Sequence, residues 1–364
     1  MPAIRDAHIF AFYLFDVAET IDLAAIPNLI AGPAVAARLT PKPATPAYVQ
    51  YDKPPLSFDG EAVGVAEIDS FRARVRVYDY GVISIGLSQG FAGTWAEMVS
   101  LGQTLIESAD LEQRAEQAVR TIAARLKPAL VGYRDQFLSE DYLVYALNEL
   151  DRPLSADELL AEHGQDIAAM LRGERQRLSD QERMKILRHR ISYLADDLVV
   201  PTWNAALVYD TPAGAQATLE ILEFANSQLL EFRYYDALLD DQLEVIYSRM
   251  QRPHRLEQWI GSRYARTARH VNALFIDINE LTDRTENALK FIGDIYAVRV
   301  FALVADRLAL ETWKANVQEK LETLDDIARF ALEQSSVSRG QFLEVTIVLI
   351  LILELVLVFM GVMK

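Results

Sequence analysis

Five histidines, no cysteine and a few short acidic or glycine-rich clusters are the groups from which a catalytic or metal site in this chain would be built. The lack of cysteine removes disulfides, thiolate nucleophiles, zinc knuckles and iron-sulfur clusters together, and it fits a reducing compartment. His189 sits between Arg188 and Arg190 with no histidine at i+2 or i+4, so a metal there would need ligands from distant parts of the chain. Asp196-Asp197 and Asp240-Asp241 could bind a divalent cation, but adjacent carboxylates at loops and helix ends ordinarily serve as caps or solvated charge. The Gly86-Leu87-Ser88-Gln89-Gly90-Phe91-Ala92-Gly93 stretch stands where a phosphate cradle would, after a strand and before a helix. Its spacing fits neither GxGxxG nor a P-loop and no lysine follows, so a plain strand-to-helix connection is expected. There is no Gly-x-Ser-x-Gly elbow either. No catalytic residue, metal or cofactor is therefore assigned.

The elements that would position these groups follow from periodicity. Residues 5–15 alternate, with Phe10, Phe12 and Leu14 on one face and Ile9, Ala11 and Tyr13 on the other, which predicts a strand buried on both sides. Thr20 to Ile30 reads as a short helix, and the Pro-rich stretch Pro41 to Pro55 as a loop framing a brief strand at 47–51. Strands are expected over 62–68, 71–78 and 82–87, the last two joined by a Tyr78-Asp79-Tyr80-Gly81 turn. In the middle one Arg72, Arg74 and Arg76 share a face that should be wet. Helices over 94–107 and 110–130 follow, the first capped by Thr94 with Glu97, then a strand over 141–150. Ser155-x-x-Glu158 and Ser179-x-x-Glu182 open two more helices, and 191–194, 198–203 and 205–209 read as closing strands, with Pro201 placing the middle one at an edge. After Thr211-Pro212 the pattern is helical: 213–250, 254–300 and 303–334. Leu274, Ile278, Leu281, Ile292 and Ile295 form one apolar seam, and Trp313, Val317, Leu321 and Leu324 another. They could pair as a hairpin within one chain or between chains.

Length and charge set the wider frame. With 364 residues, 51% hydrophobic and 24% charged, the chain can form two to three domains with cores. The net charge of −16 argues against direct nucleic-acid binding, which depends on Lys and Arg neutralising phosphates. The N-terminus has no basic and apolar leader pattern, so no secretion or import signal is expected. Hydropathy is uneven. Val345 to Met363 is interrupted only by Thr346, Glu354 and Gly361, and without the last residues the mean hydropathy of +0.06 would fall to roughly −0.1. As a helix the run is about 28 Å long, close to the hydrocarbon thickness of a bilayer. Val345, Ile347, Leu349, Leu351, Leu353, Leu355, Leu357 and Phe359 are the expected anchor residues of a tail-anchored span, with the domains before it cytoplasmic. Glu354 near the bilayer centre is costly. It would face either a counterpart in a homo-oligomer, a polar group of another membrane protein, or be tolerated in its protonated form.

The order of elements carries a resemblance. The strand ending Tyr78-Asp79-Tyr80-Gly81-Val82-Ile83-Ser84-Ile85-Gly86, the Glu140-Asp141-Tyr142-Leu143-Val144-Tyr145 strand, the long helices and Leu343-Glu344-Val345-Thr346-Ile347-Val348 entering the last apolar run resemble the domain-of-unknown-function family that includes the "required for meiotic nuclear division" proteins. The similarity runs from about residue 62 onward. It implies a membrane protein, mitochondrial in the eukaryotic relatives, that acts as an oligomeric tether linked to translation or cell division, and it supplies no catalytic residues.

The expectation is an α+β protein in three parts: a mixed sheet-and-helix domain over 1–210, a helical stalk or bundle over 211–340, and a transmembrane anchor over 341–364. Its function would be that of a non-enzymatic scaffold in the inner (cytoplasmic) membrane, in contact with the lipid bilayer and self-associating. The competing expectation is an enzyme or ligand-binding protein with its site near Gly86 to Gly93 or on the Arg72, Arg74, Arg76 face.

Overall fold

A computed structural model describes residues 4–36, 54–68, 70–106, 108–250, 276, 278, 279, 295–327, 329, 347 and 348. The chain forms two compact units, Met1–Tyr234 with Asp283–Trp313, and Tyr235–Thr282 with Lys314–Lys364. All described strands belong to the first.

Its centre is a sheet of three long strands, β1 (Ile4–Asp16), β7 (Val82–Gly93) and β9 (Leu138–Leu150). Short strands extend it on both sides: β3 (Val35–Ala36), β4 (Leu56–Asp59), β5 (Glu67–Ile68) and β6 (Phe71–Val77) beyond β7, β10 (Leu198–Pro201) and β11 (Ala205–Tyr209) beyond β9. The order is β10-β11-β9-β1-β7-β6-β4-β3, with β5 paired to β6. All pairs are antiparallel except β11 with β9. A second small sheet pairs β2 (Thr20–Ile21) with β8 (Leu130–Val131).

Alternation in β1 buries one face from Ala7 to Phe15 and the other only at Phe12, Leu14 and Asp16, with Phe10 half-buried, so the strand expected to be covered on both sides is covered on both only in its second half. Ile9, Ala11, Tyr13 and Phe15 join the main core with Ile83, Ile85, Leu87, Leu143, Tyr145 and Leu147. That core is closed by helices α1 (Trp95–Ile106), α2 (Ala109–Leu126), α3 (Ala156–Arg172) and α4 (Asp180–Leu187). The predicted caps form at two of them in full. Ser155 Oγ accepts from Glu158 N while Glu158 accepts from Ser155 N, and Thr94 and Glu97 do the same. At Ser179 only half of the box exists, because Glu182 reaches Arg172 instead.

Several local expectations change. Thr20 to Ile30 is not a helix: Ile21 is held by β8, the Asp22 carboxylate takes the Ala24 amide, and only a 3-10 turn at Ile26–Asn28 remains. Residues 62–68 are a 3-10 turn, Gly60–Val63, followed by the two residues of β5. The 191–194 strand shrinks to a single bridge between Ile191 and Val199, since the Tyr193 and Leu194 amides are taken by Asp197. The brief strand at 47–51 lies outside the described residues.

Beyond the sheet runs α5 (Pro212–Met250), 39 residues that pass from the first unit into the second. The break expected between 300 and 303 is absent: α6 (Ile295–Arg307) runs through it, and the turn falls at Leu308–Ala309, where Ala309 has φ of 54°. Residues 310–327 are helical again. Of the seams, Ile278, Val317, Leu321 and Leu324 are buried, Trp313 is half-buried and Ile295 is 79% exposed, while Leu274, Leu281 and Ile292 lie outside the described residues.

Among the described residues no helix is long and apolar enough to cross a membrane. Ile347 and Val348 are helical and exposed, and the other anchor residues, Glu354 included, lie outside the described residues.

Candidate functional site

The face of the sheet opposite the main core carries the unusual chemistry. It has a closed end and an open end. Over the closed end lie residues 212–234 of α5, and from Thr218 to Phe232 every side chain of that helix is buried. Seven of these are polar: Thr218, Glu220, Glu223, Asn226, Ser227, Gln228 and Glu231. Charges cannot be buried cheaply without partners, so the sheet must supply them.

Arg76 of β6 is the main one. Its Nη1 is 2.8 Å from Glu223, its Nη2 3.5 Å from Glu220, and its Nε donates to Ser57 Oγ at 3.0 Å. All three charged residues are below 10% exposure. The wet face expected for Arg72, Arg74 and Arg76 is thus wet only at Arg72 and Arg74, because α5 covers the third. Burial raises the Glu220 pKa, and Arg76 opposes that rise. Further along α5, Ser227 and Gln228 meet the Tyr80 hydroxyl at 2.6 and 3.1 Å. Arg233 pairs with Glu140 of β9. Asp16, wholly buried at the end of β1, pairs through one oxygen with Arg134, whose guanidinium lies 3.9 Å above the Tyr234 ring. Burial raises the Asp16 carboxyl to about 7, with Arg134 pulling the other way.

At the open end, β1 and β7 place His8 opposite Gly90, Phe10 opposite Ser88 and Phe12 opposite Gly86. The His8, Phe10 and Phe12 rings stack along the strand at 6.1 and 6.2 Å. A Cβ on Gly86 would stand 3.3 Å from the Phe12 ring, so the ring covers what the glycine leaves bare. The expected connection at Gly86 to Gly93 is therefore corrected: it is the second half of β7, and its small residues make room for aromatics rather than phosphate. Arg72 and Arg74 stand exposed beside it, and Asn148 bridges Asp6 and His8.

The remaining expected groups take structural roles. Asp197 caps the turn at Tyr193 and Leu194. Asp240 shares Lys320 with Asp236 in the second unit, both at 2.7 Å. Among the described residues no cluster of three or more His, Asp or Glu could hold a metal. His189 has a lowered pKa, through burial first and then the cations Arg307 and Arg188. A cavity of about 290 Å³ lies between α3 and α4, lined by Asp157, Leu160, Ala161, Arg183, Met184, Leu187 and Arg190. It shares no residue with the charged layer. Sequence reasoning missed that layer, although the polar positions within an otherwise apolar 218–232 were its signal.

A nine-stranded mixed sheet with helices on both faces defines an α+β domain. Residues 6–216, more than half of the chain, match the family described as the N-terminal domain of uncharacterized protein MJ0711, and the chain belongs to that family. The uncharacterized protein MJ0711 of Methanocaldococcus jannaschii is 24% identical over 226 residues, 61% of this chain and 66% of the relative. The match thus spans just under two thirds of that protein. No solved structure matches. A domain of unknown function was expected, but neither match links the chain to the meiotic nuclear division proteins.

Proposed function

We propose that this chain is a membrane-tethered, non-enzymatic scaffold, a single-pass protein of the inner membrane with its α+β body in the cytoplasm. The observation that carries the reading is the run Val345 to Met363, apolar apart from Thr346, Glu354 and Gly361 and long enough to cross a bilayer as a helix. The charged layer supports it. Arg76 of the sheet is engaged by Glu223 and Glu220 of α5, and Arg233 of α5 by Glu140 of β9, so these ion pairs hold α5 on the sheet. The resemblance to the meiotic nuclear division proteins would put such a tether beside membrane-associated translation or cell division. Removing residues 341–364 tests the anchor: the truncated chain is expected in the soluble fraction of fractionated cells, and pelleting with membranes refutes it.

A second reading draws on the open end of the sheet. Stacked His8, Phe10 and Phe12 over Gly86 and Gly90, with Arg72 and Arg74 exposed alongside, suit a planar anionic ligand. Titration with nucleoside monophosphates would move the amide resonances of His8, Phe10, Arg72 and Arg74 together; unchanged resonances dismiss it.

A further inference from the structure

We propose that one edge of the first unit rests on anionic lipid headgroups. That edge comprises α4, the segment 188–194 and the outer strand β10 with the turn that leaves it.

Charge is the first ground. From Arg172 to Trp203 there are seven Arg or Lys and five Asp or Glu, a local excess of two positive charges in a chain of −16. Four of the five acids are engaged within the segment, Glu182 with Arg172, Asp180 with Arg183, Glu174 with the amides of 175 and 176, and Asp197 with those of 193 and 194, while Asp196 is exposed. Arg177, Lys185, Arg188 and Arg190 are exposed. The net negative charge of the rest does not cancel them at the surface, because charges farther than a Debye length of about 8–10 Å are screened at physiological salt.

Apolar exposure is the second ground, and it is independent. Among the described residues, four of the twelve large apolar side chains that face solvent fall between 184 and 203: Met184, Tyr193, Leu194 and Trp203, each 56–63% exposed. They gather at one edge. Met184 shares the α3–α4 cavity with Arg183 and Arg190, Ile191 is bridged to Val199 of β10, and Trp203 occupies the turn after that strand. The Tyr193 ring is propped by Tyr296 of α6 at 5.4 Å, which holds it outward at low entropic cost.

The patch sets exposed cations beside exposed aromatics. A bilayer interface answers both, since Trp and Tyr settle at headgroup depth while Lys and Arg meet lipid phosphates. The proposal builds on the tether reading, in which an anchor keeps the body close to a bilayer.

The chain has no cysteine, so Leu194→Cys labelled with the solvent-sensitive dye NBD gives a single probe on the full-length protein. The labelled protein is reconstituted into vesicles of phosphatidylcholine alone or with about 30% phosphatidylglycerol, an anionic content high enough to attract a polybasic patch. Emission should rise and shift to the blue only with phosphatidylglycerol. It should be reversed when salt is raised from about 0.1 M to about 1 M, where the Debye length falls to about 3 Å. Membrane association of the edge should weaken roughly fivefold for each charge removed in Lys185→Gln and Arg188→Gln. A probe at Glu67→Cys, on an exposed position of β5, should stay unshifted. Equal emission in both vesicles, a matching shift at Glu67, or a shift in detergent that grows with protein concentration would each overturn the proposal, the last in favour of a protein partner. Flotation with phosphatidylcholine vesicles reads the anchor separately: a chain that fails to float there, yet shows the shift with phosphatidylglycerol, loses the anchor and keeps the lipid edge.

Discussion

Arg76 touches β4 through Ser57 and α5 through Glu220 and Glu223, so a single guanidinium joins the sheet edge to the long helix. Buried ion groups of this kind add little net stability over a well-packed apolar core, but removing one member strands the others without a counter-charge. Arg76→Ala should therefore cost about 3–5 kcal/mol, read from urea unfolding. Arg72→Ala, on the exposed part of the same face, should change stability by about 0.5 kcal/mol or less. Asp16 makes a different prediction because its pKa is raised rather than lowered. A carboxyl that titrates near 7 when folded and at 3.8 otherwise holds its proton in the native state across that window. It thus contributes stability at low pH that is lost as pH rises through about 7. Asp16→Asn keeps an acceptor for Arg134 and removes the proton, so its unfolding free energy should fall less steeply between pH 5 and 7, by up to about 1.4 kcal/mol per pH unit. Glu140, Asp141 and Glu220 also have raised pKa values, so part of the slope should persist. Parallel pH profiles for the two proteins would contradict the assignment.

Elements whose signals are local were legible in the sequence, and those decided by distant partners were not. The strands β6, β7, β9 and β11, the hairpin at 78–81 and helices α1 to α4 follow from alternation, turn residues and caps carried within each segment. Thr20 to Ile30 has helical spacing, but pairing with β8 outweighs it. The start of β7 was readable and its end was not, because Gly86, Gly90 and Gly93 look like a loop until His8, Phe10 and Phe12 are placed opposite. For the candidate site the gap was larger. Arg76 was grouped correctly with Arg72 and Arg74 on one face, yet which of them is covered depends on where α5 lands. Caps give the cleanest test at this scale. Ser155→Ala removes a complete reciprocal box at α3 and should cost about 1 kcal/mol, whereas Ser179→Ala at α4 removes one amide acceptor and leaves Glu182 on Arg172. Thermal unfolding should rank Ser155→Ala as the more destabilised of the two.

For the molecule as a whole, composition averages two bodies of sequence with opposite character. Residues before 340 are acidic and of ordinary hydropathy, with one basic and aromatic edge; the last apolar run supplies the positive mean. On the proposed anchor reading, Glu354 is what a simple anchor would lack. A carboxyl at the middle of a span costs about 2.5–3.5 kcal/mol on insertion scales, so a sequence that only needed an anchor would be better served by leucine there. A contact between two spans offsets that cost if each protonated Glu354 finds a hydrogen-bond partner in the other, at about 1–2 kcal/mol per bond. On this argument Glu354→Leu should insert at least as well as the parent, as read by flotation with vesicles, while shifting the chain in nanodiscs or mild detergent toward smaller assemblies. Glu354→Gln, which keeps hydrogen bonding without the charge, should retain the assembly. Sedimentation of the three proteins side by side decides it: an unchanged assembly in Glu354→Leu would leave the residue as a tolerated acid.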